Sequence, residues 1–279
     1  MSQAVRRGSR PTVSVIVPSR NSAHHIGPCI ESIMKQSVAP LEILVCDKSS
    51  CDDTAAIARE LGAVVLTAGP ERSAQRNAAA RRARGDALLF VDCDMRLQPD
   101  VIRSCLQQWE AGARIITIPE KVIGGGVWAR GRDLEKRLHQ GIAGYEAARF
   151  VERALFAAAG GYDERMVAGE DFDLHLALVG AGGMEGTSRV PIHHFEDHLS
   201  LQDYIRKWRY YGACLGPFID KRGQARRQLP TLPRIVMRRW RLALGDPVGL
   251  IALAVLKLTE FSIIGWQVRA RSCRREARR

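Results

Sequence analysis

From Pro11 onward the chain alternates short apolar runs with helix-patterned segments, and that alternation leaves few folds open to it. Val13–Val17, stopped by Pro18, and the runs Glu42–Cys46, Ala63–Leu66 and Ala87–Val91 read as strands. Between them, Ile26–Gln36, Asp53–Leu61 and Ser73–Ala83 read as helices, the first with Ile26, Ile30, Ile33 and Met34 on one apolar face. Strands joined by helices of this length make βαβ units and a mostly parallel sheet, whose ligands sit at the carboxyl ends of the strands. At 279 residues and 46% hydrophobic, the chain has material for one large α/β domain with an appendage.

Each predicted strand end carries polar residues. Pro18-Ser19-Arg20-Asn21 follows the first, Asp47-Lys48-Ser49-Ser50 the second, Glu71-Arg72-Ser73 the third and Asp92-Cys93-Asp94 the fourth. Taken singly these are ordinary residues of turns and helix starts, as Asn21 suits a turn and Asp53 or Ser73 a cap. Taken together they would ring one sheet edge, where Asp92 and Asp94 offer hard oxygen ligands that hold a divalent cation against a diphosphate. Further along, Glu170-Asp171-Phe172-Asp173 follows Gly169. It reads either as an acidic helix start favoured by the macrodipole or as the source of a general base.

Other patterns narrow the chemistry. Seven cysteines, an odd number without a Cys-x-x-Cys pair, argue against a disulfide framework and for a reducing compartment. His193, His194 and His198 cluster, but without cysteines or a helical His-x-x-x-His they make a poor zinc site. Gly124-Gly125-Gly126 lacks the strand-to-helix setting of a dinucleotide fingerprint and suggests a mobile loop. On that loop Trp128, Arg130 and Arg132 are candidates to meet the acceptor through stacking and guanidinium–phosphate contact; the alternative is a glycine-rich turn beside a core tryptophan.

The formal charge of +12 is uneven: residues 221–279 hold 15 Lys/Arg against 3 Asp/Glu, leaving the rest neutral overall. A basic C-terminal module that meets an anionic surface follows. Tyr204–Tyr211 interleaves cations with aromatics and would suit an interfacial helix or single-stranded nucleic acid. The amphipathic Ile235–Leu244 and the apolar Val248–Trp266 favour the membrane and disfavour nucleic acid. A charge at the centre of a spanning helix costs about 2.5–3.5 kcal/mol, so Lys257 and Glu260 argue against a simple transmembrane segment. With Ile264 and Gln267 they form a polar stripe that could dock on the catalytic domain or pair with the same helices of a second copy. The Arg269–Arg279 run would lie against anionic headgroups, and residues 1–10 form a basic lead without the apolar core of a signal peptide.

Over about Pro11–Tyr211 the chain resembles the GT-A fold glycosyltransferases of family 2. Val13–Asn21 is similar to the family's opening strand and Pro-x-x-Asn turn. Leu44–Thr54 resembles its Val-Asp-Asp-Gly-Ser-x-Asp-x-Thr segment, with Lys48 and Ser49 in place of the usual Asp and Gly. Ser73-Ala74-Gln75-Arg76-Asn77 resembles its Ala-Arg-Asn helix start, and Asp92-Cys93-Asp94 takes the place of its Asp-x-Asp. Gly160–Glu164 and Gly169–Leu174 resemble the Gly-Gly-Phe-Asp-Glu and Glu-Asp-x-Asp-Leu blocks.

The resemblance implies an α/β GT-A fold, a Rossmann-like mostly parallel sheet flanked by helices, with a basic, amphipathic helical extension. It implies an inverting transferase that uses a UDP- or GDP-sugar and Mg²⁺ or Mn²⁺. Pro18, Ser19, Arg20, Asn21, Asp47, Arg72, Arg76, Asp92 and Cys93 would then line the nucleotide sugar, with Asp47 at the base. Asp94, Asp92 and His194 would hold the metal, and Asp171, beside Glu170, would deprotonate the acceptor hydroxyl. The expected division is a lead (1–10), a catalytic domain (11–212, nucleotide-binding to about 95 and acceptor-binding from 96) and membrane-associating helices (213–279). Such an enzyme would work in the cytoplasm, peripheral at the inner face of the cell membrane, on a lipid-linked or membrane-anchored acceptor. The alternatives are base-free transfer onto a polyprenyl phosphate, a sugar nucleotidyltransferase and a non-catalytic binding module.

Overall fold

The computed structural model describes residues 10–142, 144–196, 199–227 and 231–276, with side chains described to residue 222 in the third stretch and to 267 in the fourth. His198, the lead before Arg10 and the side chains of the Arg269–Arg279 run lie outside the described residues.

The first half follows the alternation read from the sequence: β1 (Val13–Ser19), α1 (Ala23–Met34), β2 (Glu42–Asp47), α2 (Thr54–Glu60), β3 (Val64–Thr67), α3 (Arg72–Arg82) and β4 (Ala87–Phe90). Then come β5 (Met95–Leu97), α4 (Val101–Glu110), β6 (Ile115–Thr117), β7 (Glu120–Ile123), α5 (Gly126–His139), β8 (Ala148–Glu152) and α6 (Arg153–Ala158). They are followed by α7 (Glu170–Gly180), β9 (Glu185–Thr187) and β10 (Ile192–Phe195). The helices α8 (Leu201–Cys214), α9 (Gly216–Arg227), α10 (Leu232–Arg238), α11 (Trp240–Leu244) and α12 (Pro247–Glu276) complete the chain.

One sheet has the order β3-β2-β1-β4-β8-β6-β9, and a small second sheet has the order β5-β10-β7. The first four strands of the larger sheet run in parallel, and β8 enters antiparallel between β4 and β6. Helices cover both faces, so the central strands are apolar on both sides rather than alternating. Val15, Val17 and Leu89 pack with Ile26, Ile30 and Ile33 of α1 on one face. Ile16, Leu88 and Phe90 pack with Ala79 of α3, Phe156 of α6 and Leu174 of α7 on the other. Met34 departs from expectation: it is 55% exposed, because it lies off the arc that Ile26, Ile30 and Ile33 define.

The glycine run is not a mobile loop over its length. Gly126, at φ +84, opens α5. This helix carries few apolar residues, and it is held by partners distant in sequence: Leu134 and Leu138 pack with Ile235, Ala243 and Leu253. Gly131 permits the close crossing, since a Cβ there would lie 2.8 Å from the backbone nitrogen of Leu253. Asp246 starts α12 by accepting from the backbone N–H of Gly249 at 2.9 Å, and its carboxylate also takes Arg130 at 2.6 Å and Arg137 at 3.1 Å.

The polar stripe of α12 docks inward. Lys257 pairs with Glu135 of α5 at 2.5 Å and with Glu260 at 2.6 Å. Tyr204 of α8 donates to Glu260 at 3.0 Å, and Gln267 Nε2 donates to the carbonyl of Arg209 at 2.9 Å. The segment Pro247–Gln267, with a mean hydropathy of 1.9, is long and apolar enough to cross a membrane. Its opposite face carries Val248, Ile251, Val255, Leu258 and Phe261 exposed at helical spacing.

Candidate active site

The carboxyl ends of β1 and β2 meet around a buried acid. Asp47 accepts from Ser19 Oγ at 2.9 Å, from Ser50 Oγ at 2.5 Å and from the Ser50 backbone N–H at 2.7 Å. Gln75 of α3 ties the two strands by donating to the carbonyls of Ser19 and Cys46. Asn21 takes a left-handed conformation, φ +47, and its Oδ1 accepts from the Cys51 backbone N–H. Pro18 and Ser19 are buried there, whereas Arg20 and Asn21 face solvent. Lys48, which stands where the resemblance leads one to expect an acid, pairs with Glu71 at 3.3 Å.

Beside this edge, one guanidinium connects the two acidic motifs. Arg76, 1% exposed, donates to Asp92 Oδ1 at 2.6 Å and lies 3.4 Å from Asp171 Oδ1 and 3.7 Å from Glu170 Oε1. Expected to line the nucleotide sugar, it faces three carboxylates, because the face of α3 that bears it is turned into the protein. Both terminal nitrogens of Arg149 lie 3.4 Å from Asp92 Oδ2, so each oxygen of Asp92 is engaged. Burial would raise the pKa of Asp92, but Arg76, Arg149 and Arg72 outweigh it and hold the group well below the usual carboxylate range. Glu170 goes the other way: burial and the adjacent Asp171 raise it to about 7 against the pull of Arg72 and Arg76. Asp171 is the accessible acid of the pair, 38% exposed at its side chain against 7% for Glu170, and Tyr162 donates to it at 3.3 Å. Arg72 pairs with Glu170 at 3.4 Å and donates to Tyr211 of α8 at 2.9 Å.

Asp94 faces a different set of groups. Its Oδ2 lies 3.3 Å from His194 Nε2, and its Oδ1 is buried without a partner. Glu120 stands 3.4 Å behind the other nitrogen of His194 and also holds Lys136 at 2.7 Å and Arg149 at 2.8 Å. Burial opposes a charge on His194, yet Asp94 and Glu120 prevail and raise its pKa to about 9. Cys93 turns inward, with Sγ 3.2 Å from Ser22 Oγ, and burial pushes its thiol up to about 12. His193 turns to Gln98, 2.6 Å away.

Among the described residues no three His, Cys, Asp or Glu side chains form a metal cage. Asp92, expected as a ligand, is occupied by arginines, which leaves one carboxylate and one imidazole. That pair suits Mg²⁺ or Mn²⁺ only where phosphate oxygens or water complete the shell, as these ions commonly bind. An open cavity of about 290 Å³ lies against Asp94 and His194, flanked by His24 and His25 of α1 and by Asp203 and Lys207 of α8.

Of the residues proposed for the acceptor, Arg132 reaches a wall of the Asp94 cavity through Glu196, whereas Arg130 turns to the start of α12. Arg130 reaches Asp246 at the start of α12, and Arg132 pairs with Glu135 at 2.5 Å and Glu196 at 3.5 Å. Trp128 sits half-buried on α5. Arg149 and Glu120 join the site without having been singled out from the sequence, and Tyr211 joins it from the segment read as an interfacial helix. A charge inside the apolar run Ala148–Val151 was the available signal for Arg149, since such a group must find a buried partner.

The family model described as Glycosyl transferase family 2 matches residues 14–158. The chain is 25% identical over 202 residues to a chondroitin synthase of Escherichia coli, covering 64% of this chain and 28% of that protein. It is 38% identical over 87 residues to the E. coli UDP-Glc:alpha-D-GlcNAc-diphosphoundecaprenol beta-1,3-glucosyltransferase WfgD, covering 29% of this chain and 34% of that protein. It therefore spans about a third or less of the length of these relatives. Among solved structures, the mannosyltransferase PcManGT from Pyrobaculum calidifontis in complex with GDP-Man and Mn²⁺ matches with a TM-score of 0.58 at 20% identity, covering 89% of this chain and 74% of that one. S. aureus TarS 1-349 in complex with UDP-GlcNAc matches with a TM-score of 0.56 at 17% identity, covering 95% and 92%. These two likenesses establish the GT-A fold.

Proposed function

The chain belongs to glycosyltransferase family 2, and we propose that it moves a sugar from a nucleoside-diphosphate donor to a hydroxyl of a lipid-linked or membrane-anchored acceptor, with inversion at the anomeric carbon. The observation that carries this reading is the joining of Asp92, Glu170 and Asp171 through the single buried guanidinium of Arg76. Donor-side and acceptor-side acids are thereby fixed relative to each other. Family membership replaces the nucleotidyltransferase and binding-module alternatives.

Transfer needs charge neutralised on the leaving diphosphate and a base on the opposite face of the sugar. Asp171 suits the base: it is the exposed acid of its pair, and Tyr162 and Arg76 fix its orientation. A positioned base of this kind contributes about 10²–10⁴-fold. Asp47 and the turn Pro18–Asn21 would receive the nucleoside, and Arg72 remains partly open at the donor side. Asp94 and His194 would hold Mg²⁺ or Mn²⁺, which when bound supplies Lewis-acid neutralisation of the diphosphate. The apolar outer face of α12 supports peripheral docking on a membrane. The relative named for a diphosphoundecaprenol-linked acceptor supports a hydroxyl carried on such a lipid.

The test is a panel of UDP- and GDP-sugars with Mn²⁺, scored by donor hydrolysis and transfer. Asp171→Asn should lower kcat by about 100-fold or more while leaving donor affinity within a few fold. Absence of activity with every donor, or full activity in the Asp171→Asn variant, would overturn the reading.

A further inference from the structure

Among the described residues, the buried cations beside the acidic motifs are matched to carboxylates. Arg72 pairs with Glu170, Arg76 with Asp92, Arg149 and Lys136 with Glu120, and Arg132 with Glu135. Lys207 lines the cavity together with Asp94 and His194. Among the described residues it has no carboxylate at ion-pair distance; burial and Arg132 lower its pKa, Glu196 and Asp94 act against them from the same cavity, and the ring of Tyr211 lies 5.9 Å from Nζ. Asp203, one turn earlier on α8, does not neutralise it: that carboxylate accepts from Ser200 Oγ at 2.5 Å and pairs with Arg206 at 3.1 Å.

The helix that presents Lys207 is fixed at both ends of its inner face. Tyr204 donates to Glu260 of α12, Gln267 of α12 donates to the carbonyl of Arg209, and Arg72 donates to Tyr211. An ammonium carried on a fixed helix beside Asp94, with no carboxylate at ion-pair distance, is prepared for an anionic ligand, because the backbone that presents it is ordered before binding.

We propose that Lys207 binds the terminal phosphate of the nucleoside-diphosphate donor and stabilises the charge that collects there on transfer. The inference rests on the glycosyltransferase reading and adds a residue to it. In the reaction the acceptor oxygen bonds to the anomeric carbon as the bond from that carbon to the phosphate oxygen breaks. The electron pair stays on the phosphate, the acceptor proton passes to the base, and Lys207 keeps its own protons throughout.

Calorimetric titration of the full chain with UDP, GDP, UMP and GMP in Mn²⁺ tests this. Lys207→Ala should weaken the better-bound diphosphate by roughly 10- to 100-fold, the worth of a charge-assisted contact, and its monophosphate by less than about twofold. Lys207→Arg should retain most of the affinity, and Lys207→Met keeps the aliphatic stem beside Tyr211 should alanine disturb α8. Unchanged diphosphate affinity, or equal losses for mono- and diphosphate, overturns the role of Lys207 and leaves the enzyme reading intact. A wild-type chain that binds none of the four nucleotides overturns both. A Lys207→Ala effect confined to the KM for the acceptor also overturns the proposal, placing the ammonium on the acceptor instead.

Discussion

Replacing Glu170 by glutamine tests the buried network through a single proton. Burial and Asp171 raise this carboxyl from 4.5 to about 7 in the folded protein, although Arg72 and Arg76 pull against them. In the unfolded chain it ionises near its ordinary value, so between those two pH values the folded state binds the extra proton. The stability tied to that proton is fully present below about 4.5 and is lost as pH rises through about 7. At 1.36 kcal/mol per pKa unit the swing is about 3 kcal/mol, with little discount for solvent because the side chain is 7% exposed.

Glutamine carries no such proton. Relative to wild type, the Glu170→Gln variant should therefore gain about 3 kcal/mol as pH rises from about 4.5 to 7.5, which widens the difference in Tm by roughly 6–10 °C. Paired thermal melts across that range in matched buffers read the difference directly, and titrations common to both proteins cancel. Parallel profiles would refute the reasoning. A difference moving in favour of wild type would show that Arg72 and Arg76 dominate and that Glu170 is a stabilised anion.

Two further outcomes follow from the geometry. Arg149→Met leaves Glu120 and one oxygen of Asp92 without their buried partner and should cost about 3–5 kcal/mol in urea denaturation; a loss below about 1 kcal/mol would mean that water or Lys136 replaces it. Ile251→Glu with Leu258→Glu places charge on the outer face of α12 and should abolish co-sedimentation with phosphatidylglycerol vesicles while preserving UDP and GDP binding; undiminished sedimentation would assign membrane contact elsewhere.

The parallel half of the fold was legible because its strands are unbroken apolar runs and its helices bury a regular face. Val13–Ser19 and Ala87–Phe90 need no distant information to be read as core strands. Strands β5, β7, β9 and β10 are three or four residues long and take their shape from pairing, so periodicity has too little length on which to register. Helix α5, at 14 residues, was missed for a different reason: it carries few apolar residues, and Ile235, Ala243 and Leu253 that hold it come more than 90 positions later. At the site, motif order indicated Asp92, Asp94, Asp171 and His194, but spacing carries no information about which acid faces an arginine. The division of labour between Asp92, clamped on both oxygens, and Asp94, with one oxygen unpartnered, emerges only from the folded arrangement. Arg76 meets carboxylates from two distant segments, Asp92 and Glu170-Asp171, which spacing around α3 does not record.

The inward-turned polar stripe of α12 has a practical consequence for anyone handling this enzyme. Removing the chain from Pro247 onward would look like a way to gain solubility, since it deletes the most apolar helix. The same cut would strip Lys257 from Glu135 and Glu260 from Tyr204, leave the Arg209 carbonyl without Gln267, and uncover the surface around Gly131. Helix α8 would lose its backing while still carrying Lys207 beside the cavity at Asp94 and Tyr211 against Arg72. Keeping Pro247–Gln267 is therefore the sounder route to a folded preparation.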